Sequence, residues 1–331
     1  MDGISTVGIV GGGSWATAIA KILLERVPHI HWYMRDSARI ESFRATGHNP
    51  AYLSDVGFDM DRITLTDDVN QVAEACQTLV MVIPSPYIKD TLQGLSVSLR
   101  DKFIVTAIKG IVPGENFVCT DYLSVKYGVP REQFAVIGGP SHSEEVAMSH
   151  LTCLTVGCAN ARRAENLASL LRNDYVCVKT SRDVVGIEYA GVLKNVYALA
   201  VGICHALGYG DNFLAVLVSN ALQEMRQFLE AVYPMDRDVC DSVYAGDLLV
   251  TAYSRFSRNR IFGTMVGNGC SAQEAQAEMH MVAEGYHGVR CIWEINRRMG
   301  VSMPILDAVF NILYRHAAPE QEIRRLSKAL R

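Results

Sequence analysis

Two lysines stand where an amine could move protons. Lys194, in Gly191-Val192-Leu193-Lys194-Asn195-Val196, interrupts a helical pattern that is almost uncharged from Ala190 to Leu207. Burial disfavours an ammonium, so such a lysine should titrate low, toward the working range of an acid or base. The plain alternative is a lysine whose head snorkels to solvent. Lys109, in Thr106-Ala107-Ile108-Lys109-Gly110, closes a strand pattern. Gly246-Asp247-Leu248 offers a carboxylate that could equally cap a helix. Ser257-Arg258-Asn259 gathers hydroxyl, guanidinium and amide donors at a helix start, which suits a phosphate. With Arg255 and Arg260 nearby, a solvated basic face is the competing reading. Gly138-Gly139-Pro140-Ser141 presents backbone N–H groups and a hydroxyl, or simply a tight turn. His142 beside it reads as an acid or as a hydrogen-bonded scaffold residue. No His, Asp or Glu cluster has metal-ligand spacing, so no metal is expected.

The elements that must position these groups begin at the N-terminus. Val7-Gly8-Ile9-Val10 runs into Gly11-Gly12-Gly13-Ser14-Trp15-Ala16, a strand followed by G-x-G-x-x-A and a helical pattern at Thr17–Glu25. In that context the motif is the dinucleotide-binding fingerprint. Gly11 permits the tight turn, Gly13 lets the backbone approach a pyrophosphate, and Ala16 lets helix and strand pack closely. Free N–H groups at the helix start then face the phosphates. At the end of the next strand, Ile30–Met34, Arg35 and Asp36 stand side by side. An acidic residue about 20 positions beyond the glycines reads the ribose of NAD, whereas an arginine suits the 2′-phosphate of NADP. Because Asp36 also fits as the N-cap of a helix at Ser37–Arg44, the pair weighs toward NADP and leaves dual use open.

Strand-like runs recur at Ser5–Val10, Ile30–Met34, Ile63–Leu65, Leu79–Ile83, Phe103–Ala107, Phe134–Ile137, Cys153–Gly157 and Tyr175–Val178. Amphipathic stretches such as Tyr87–Leu99, Asn116–Tyr127 and Arg162–Leu171 alternate with them. This predicts a doubly wound, Rossmann-like α/β sheet, parallel with a mixed edge, over residues 1–183. Beyond it only helical periods appear: Val184–Leu207, Asn212–Tyr233, Ser242–Tyr253, Ile261–Val266, Ala272–Met279, His287–Met299 and Ile305–Tyr314. Residues 184–331 are therefore expected to form an all-α catalytic and substrate-binding domain, with a cleft where the two domains pack.

The 331 residues carry a net charge of -4, with 49% hydrophobic and 20% charged residues, which describes a soluble globular chain. An acidic balance argues against nucleic acid or an anionic membrane as partner. No apolar run approaches the roughly 18 residues of a membrane span. Met1-Asp2-Gly3 leads straight into the first strand with no room for a signal segment, so cytoplasm is the expected location. Nine cysteines lie singly, without a C-x-x-C pair, and are expected as small buried apolar residues in a reducing compartment.

Taken together, GGGSWATA, Thr106–Gly110, GGPS at 138–141, GVLKNVYA at 191–198, GDL at 246–248, SRN at 257–259 and VAEGY at 282–286 form a recognisable series. In order and spacing it closely resembles the soluble NAD(P)-dependent glycerol-3-phosphate dehydrogenases of the bacterial type, from about residue 5 to residue 315. The resemblance implies reversible, NAD(P)H-dependent reduction of dihydroxyacetone phosphate to sn-glycerol 3-phosphate, which supplies phospholipid synthesis, by a homodimer. It implies Lys194 as catalytic acid/base, with Lys109, Gly139, Ser141, Asp247, Ser257, Arg258 and Asn259 around the phosphate substrate. Against the cofactor, NADP or NAD, it places Gly11, Gly13, Ser14, Trp15, Arg35, Tyr52, Lys109, Ser143, Arg258, Val282 and Glu284. Ala16 replaces the common third glycine, and His142 stands where many members have an aromatic residue. His48–Ser54 matches the family's Tyr-Leu-Pro stretch only loosely. Two other readings compete. A β-hydroxyacid-type Rossmann dehydrogenase would also use a helix-borne lysine and an arginine, but GDL with SRN favours a phosphate. A non-catalytic dinucleotide sensor should have lost its lysine, and both lysines are present.

Overall fold

The structure, a computed structural model, describes residues 6–279 and 282–330; Met1–Ser5, where the first apolar run begins, lie outside them. The chain divides into two compact units. One comprises Met1–Ile108 with Cys119–Val184, the other Lys109–Val118 with Val185–Arg331.

In the first unit β1 (Val7–Val10), α1 (Ser14–Leu23), β2 (Ile30–Tyr33), α2 (Ser37–Thr46), β3 (Ile63–Thr66), α3 (Val69–Ala75), β4 (Thr78–Met81), α4 (Ile88–Leu92) and β5 (Phe103–Thr106) alternate. After the excursion β6 (Ile111–Val112) and β7 (Phe117–Val118) come α5 (Cys119–Tyr127), β8 (Phe134–Gly138), α6 (Ser143–Ala147), β9 (Thr152–Cys158), α7 (Ala161–Leu171) and β10 (Val176–Ser181). Eight strands form one sheet in the order β10-β9-β8-β5-β4-β1-β2-β3. All neighbours run parallel except β8 and β9, the mixed edge foreseen from the alternation. β1, β4 and β5 are buried on both faces, which is why they read as unbroken apolar runs. Ile9, Val80 and Val105 pack toward α1 through Ala16 and Ile19. On the other side Val72 of α3 and Cys76 just beyond it press onto Gly8.

Two helices are shorter than their patterns suggest. The stretch Tyr87–Leu99 yields a 3-10 turn at Ser85–Tyr87 and then α4, which stops at Leu92. There the Asn70 side chain takes over, accepting from the Ser96 N–H at 2.8 Å. Asn116–Tyr127 becomes helical only at Cys119, because Phe117–Val118 pairs antiparallel with Ile111–Val112. That hairpin carries Lys109 with it into the second unit.

The second unit is built on α8 (Val184–Ala206), followed by α9 (Asp211–Val232), α10 (Asp247–Tyr253), α11 (Arg258–Gly267), α12 (Ala272–Glu278), α13 (Glu284–Met299), α14 (Pro304–Arg315) and α15 (Pro319–Ala329). By length and composition α8 could cross a membrane, although Glu188 and Lys194 interrupt its apolar run; most of it is buried inside the fold. It lies nearly backbone to backbone with α11. A Cβ on Gly202 would stand 2.1 Å from the Arg260 carbonyl, and one on Gly263 2.2 Å from that of Leu199. This close approach fixes the Ser257–Asn259 helix start relative to the Lys194 face. The predicted helix Ser242–Tyr253 is broken: a π-helical turn at Ser242–Gly246 gives way to α10 at Asp247. Such π segments are rare and concentrate at functional sites.

The cysteines depart from expectation. Cys76, Cys119, Cys158, Cys204 and Cys291 are buried, whereas Cys153, Cys177 and Cys240 are exposed; all nine are free thiols.

Candidate active site

At the centre of the second unit two ammonium groups share one carboxylate. Lys194 Nζ donates to Asp247 Oδ1, and Lys109 Nζ donates to Asp247 Oδ2 at 3.1 Å. The Lys194 side chain is only 7% exposed and that of Asp247 4%, so the lysine does not snorkel and the aspartate is not a cap. Burial drives the Lys194 ammonium down to about 7, aided by the charge of Lys109 and opposed by Asp247. For Asp247, burial alone would favour the neutral acid, but Lys109 and Lys194 outweigh it and hold the carboxyl below its ordinary range. A buried cluster of two cations and one anion keeps an excess positive charge, which suits an oxygen that becomes an alkoxide. The π-turn sets Asp247 at the first position of α10, where the helix dipole also favours its negative form.

A second layer holds this cluster. Asn195 Nδ2 donates to the Lys109 carbonyl at 2.8 Å, while Asn195 Oδ1 accepts from Asn259 Nδ2 at 2.8 Å. Asn259 Oδ1 in turn accepts from the Gly285 N–H at 2.9 Å. Asn259 thus ties α8 to the first turn of α13. Ser257 caps α11, accepting from the Arg260 N–H. Arg258 is half-buried and donates to the Val282 carbonyl at 3.3 Å, next to the start of α13 where Glu284 lies. The three arginines do not make one basic face. Arg260 donates to the Tyr253 carbonyl, and Arg255 lies over the Phe256 ring.

In the first unit the glycine loop is shaped to receive a phosphate. Gly11 has φ +133, and a Cβ there would stand 2.3 Å from the Val82 carbonyl, so only glycine fits. A Cβ on Gly13 would meet nothing within 4 Å, leaving open the cradle that a pyrophosphate needs. No side chain caps α1. Ser14 is buried, and the Trp15 indole Nε1 is buried without a hydrogen-bond partner. Free helix N–H groups, open space and an orphaned donor together fit a dinucleotide. At the end of β2 the carboxylate of Asp36 accepts from the Ala38 and Arg39 N–H groups, so it caps α2. Arg35 beside it is exposed, its guanidinium 5.2 Å from the Tyr87 ring centre. Tyr52 is half-buried beneath Arg39. In the turn after β8, Ser141 Oγ donates to the Gly139 carbonyl at 3.0 Å, and Ser143 Oγ donates to Glu144 at 3.1 Å.

Two residues escape the sequence reading. Asn195 sits beside Lys194, and an asparagine on an apolar helix must find polar partners, which was the available signal. Asn49 is fully buried in the loop before Tyr52. Its Nδ2 donates to the Gly12 carbonyl at 3.2 Å and to Thr17 Oγ1 at 2.8 Å, while its Oδ1 accepts from the Ala51 N–H. It clamps the Tyr52 loop onto the glycine loop.

Comparison with known proteins gives consistent results. A family model described as NAD-dependent glycerol-3-phosphate dehydrogenase N-terminus matches residues 6–164, and its C-terminus counterpart matches 183–324. The chain is 31% identical to the glycerol-3-phosphate dehydrogenase [NAD(P)+] of an Exiguobacterium species over 98% of this chain and 96% of that one. It is 33% identical to the enzyme of that name from Latilactobacillus sakei, over 97% and 95%. Among solved structures, glycerol-3-phosphate dehydrogenase from Coxiella burnetii superposes with a TM-score of 0.89 at 26% identity, covering 97% of this chain and 98% of that one.

Proposed function

The chain belongs to the NAD-dependent glycerol-3-phosphate dehydrogenase family, and from that premise we propose that Lys194 is the proton donor and acceptor of its reaction. The protein is an NAD(P)-dependent oxidoreductase acting on a CH–OH group, and it interconverts sn-glycerol 3-phosphate and dihydroxyacetone phosphate. The β-hydroxyacid and sensor readings give way to this assignment. When bound, the nicotinamide cofactor, NAD or NADP, supplies or accepts the hydride at the carbonyl carbon.

The chain's own residues do the rest. The observation that carries the assignment is the placing of two ammonium groups on one buried carboxylate. Near neutral pH Lys194 can give its proton to the ketone oxygen and recover it in the reverse direction. Lys109 stays beside it as a second positive charge against the developing alkoxide. Asp247 holds Lys194 in place and keeps its protonated form available. Arg258, Ser257 and the N-terminal end of α11 take the phosphate, with Asn259 fixing that end. Gly139 and Ser141 are proposed as further substrate contacts. Binding energy from the phosphate then serves to align the reacting carbon.

Gly11, Gly13, Ser14 and Trp15 cradle the pyrophosphate, and Tyr52, Ser143, Lys109, Arg258, Val282 and Glu284 complete the cofactor contacts. Because Asp36 is committed to capping α2 while Arg35 is exposed beside it, we read NADP as the preferred form. We further propose a cytoplasmic homodimer that supplies the glycerol phosphate backbone of phospholipids, with no nucleic-acid or membrane partner.

The test is a steady-state assay. Purified protein oxidises NADPH or NADH when given dihydroxyacetone phosphate but not a β-ketoacid, and Lys194→Ala loses turnover while retaining cofactor binding. A variant that keeps near-normal turnover removes Lys194 from the chemistry.

A further inference from the structure

The sheet places two exposed cysteines directly opposite each other. In the parallel register of β9 and β10, Cys153 pairs with Cys177. Their neighbours Leu154, Val156, Val176 and Val178 point into the core under α7, so the cysteines share the opposite face, and both are exposed. Burial aside, Cys177 stands near enough to Cys153 to push its thiol up. No other cysteines among the described residues are register partners. Adjacent strands lie about 4.8 Å apart. That spacing falls inside the Cα separation of about 4.4–6.8 Å that a disulfide spans.

We propose that Cys153 and Cys177 form a dithiol modification site that closes to a disulfide by exchange with a low-molecular-weight disulfide. One thiolate attacks a sulfur of the reagent, forming a mixed disulfide and releasing one small thiol. The second protein thiolate then attacks the protein-side sulfur and releases the other. The two cysteines lose two protons and two electrons, and the reagent disulfide is reduced to two thiols.

One positive charge lies beside the pair. Lys179 follows Cys177 by two residues on the same face, and its positive charge draws the Cys153 thiol down. Burial, together with the neighbouring Cys177, outweighs it and leaves Cys153 above its ordinary value, so exchange is slow at neutral pH and quickens as pH rises. The movement that closes the bond falls to β10. It is the edge strand, whereas β9 is flanked by β8 and its Cys153 carbonyl lies 2.8 Å from where a Cβ of Gly139 would stand.

Oxidised glutathione tests this on the full chain. At Cys153 and Cys177 the wild type should lose both thiols without retaining glutathione, yield a Cys153–Cys177 cross-linked peptide by mass spectrometry, and recover both thiols in dithiothreitol. Cys177→Ser, or Cys153→Ser if the first variant folds poorly, should instead hold one glutathione as a stable adduct at the remaining cysteine. Wild type that keeps both thiols, or that carries separate stable adducts on both, overturns the proposal.

Discussion

The glycine loop and the lysine–aspartate cluster solve recognition in opposite ways. The loop binds with what it lacks: no side chain at Gly13, no cap on α1, no charge nearby on α1 until Lys21. Its partners are consecutive residues, so a strand, a turn and a helix start suffice to build it. In the cluster, charge is instead concentrated in the interior, and Lys194 and Asp247 are drawn from chain positions 53 residues apart, Lys109 and Asp247 from positions 138 apart. Recognition through backbone tolerates partial occupancy, because no buried charge is left alone when the ligand departs. Buried charge does not: removing Asp247 leaves two ammonium groups facing each other without a counter-ion. The loop should therefore fail through shape and the cluster through protonation.

The largest effect expected is on the cluster side. Lys194→Ala should lower kcat for ketone reduction by about 10²–10⁴-fold, the usual worth of a positioned acid, with cofactor affinity unchanged. Gly11→Ala breaks the other side. A Cβ against the Val82 carbonyl at a positive φ should cost about 3 kcal/mol or more, read as a lower urea midpoint. If the midpoint holds, the turn is not as tight as described. Arg258→Leu should lower kcat/KM for dihydroxyacetone phosphate by about 10–100-fold, through a higher KM and a lower kcat together, the worth of one charge-assisted hydrogen bond. Unchanged KM would move the phosphate away from α11. The smallest effect belongs to Asn49→Ala. Losing its bonds to Gly12 and Thr17 should cost about 1 kcal/mol, seen as a roughly fivefold higher KM for the nicotinamide cofactor alone. A matching rise in the substrate KM would show general loosening.

The contrast also explains what could be read without coordinates. Every strand of the eight-stranded sheet was foreseen within a few residues, because most are buried apolar runs between turns and the partly exposed β10 still alternates Val176 and Val178 inward. The glycine loop was legible for the same local reason. Lys194 was visible as an isolated cation, but nothing along the chain links it to Asp247; the family resemblance made that connection, and the π-turn that aims the carboxylate has no sequence signal. Phe117–Val118 was read as the start of a helix and its partner Ile111–Val112 received no assignment, since two-residue strands carry no usable period. Asn49 and Asn195 were passed over because their value lies in which backbone groups they reach, and those are far away in sequence. The exposed cysteines defied the compositional expectation because nothing in composition reveals which face of an edge strand is left uncovered.

Protonation of Lys194 is open to direct measurement. On the proposed role of Lys194, reduction draws on its ammonium form, so kcat for dihydroxyacetone phosphate reduction should hold below about pH 7 and decline above it, while glycerol 3-phosphate oxidation rises through the same range. Asp247 raises the affinity of Lys194 for its proton, so in Asp247→Asn the descending limb should move to lower pH. A limb that stays in place in Asp247→Asn, or that survives in Lys194→Ala, would contradict the assignment of the proton to this lysine.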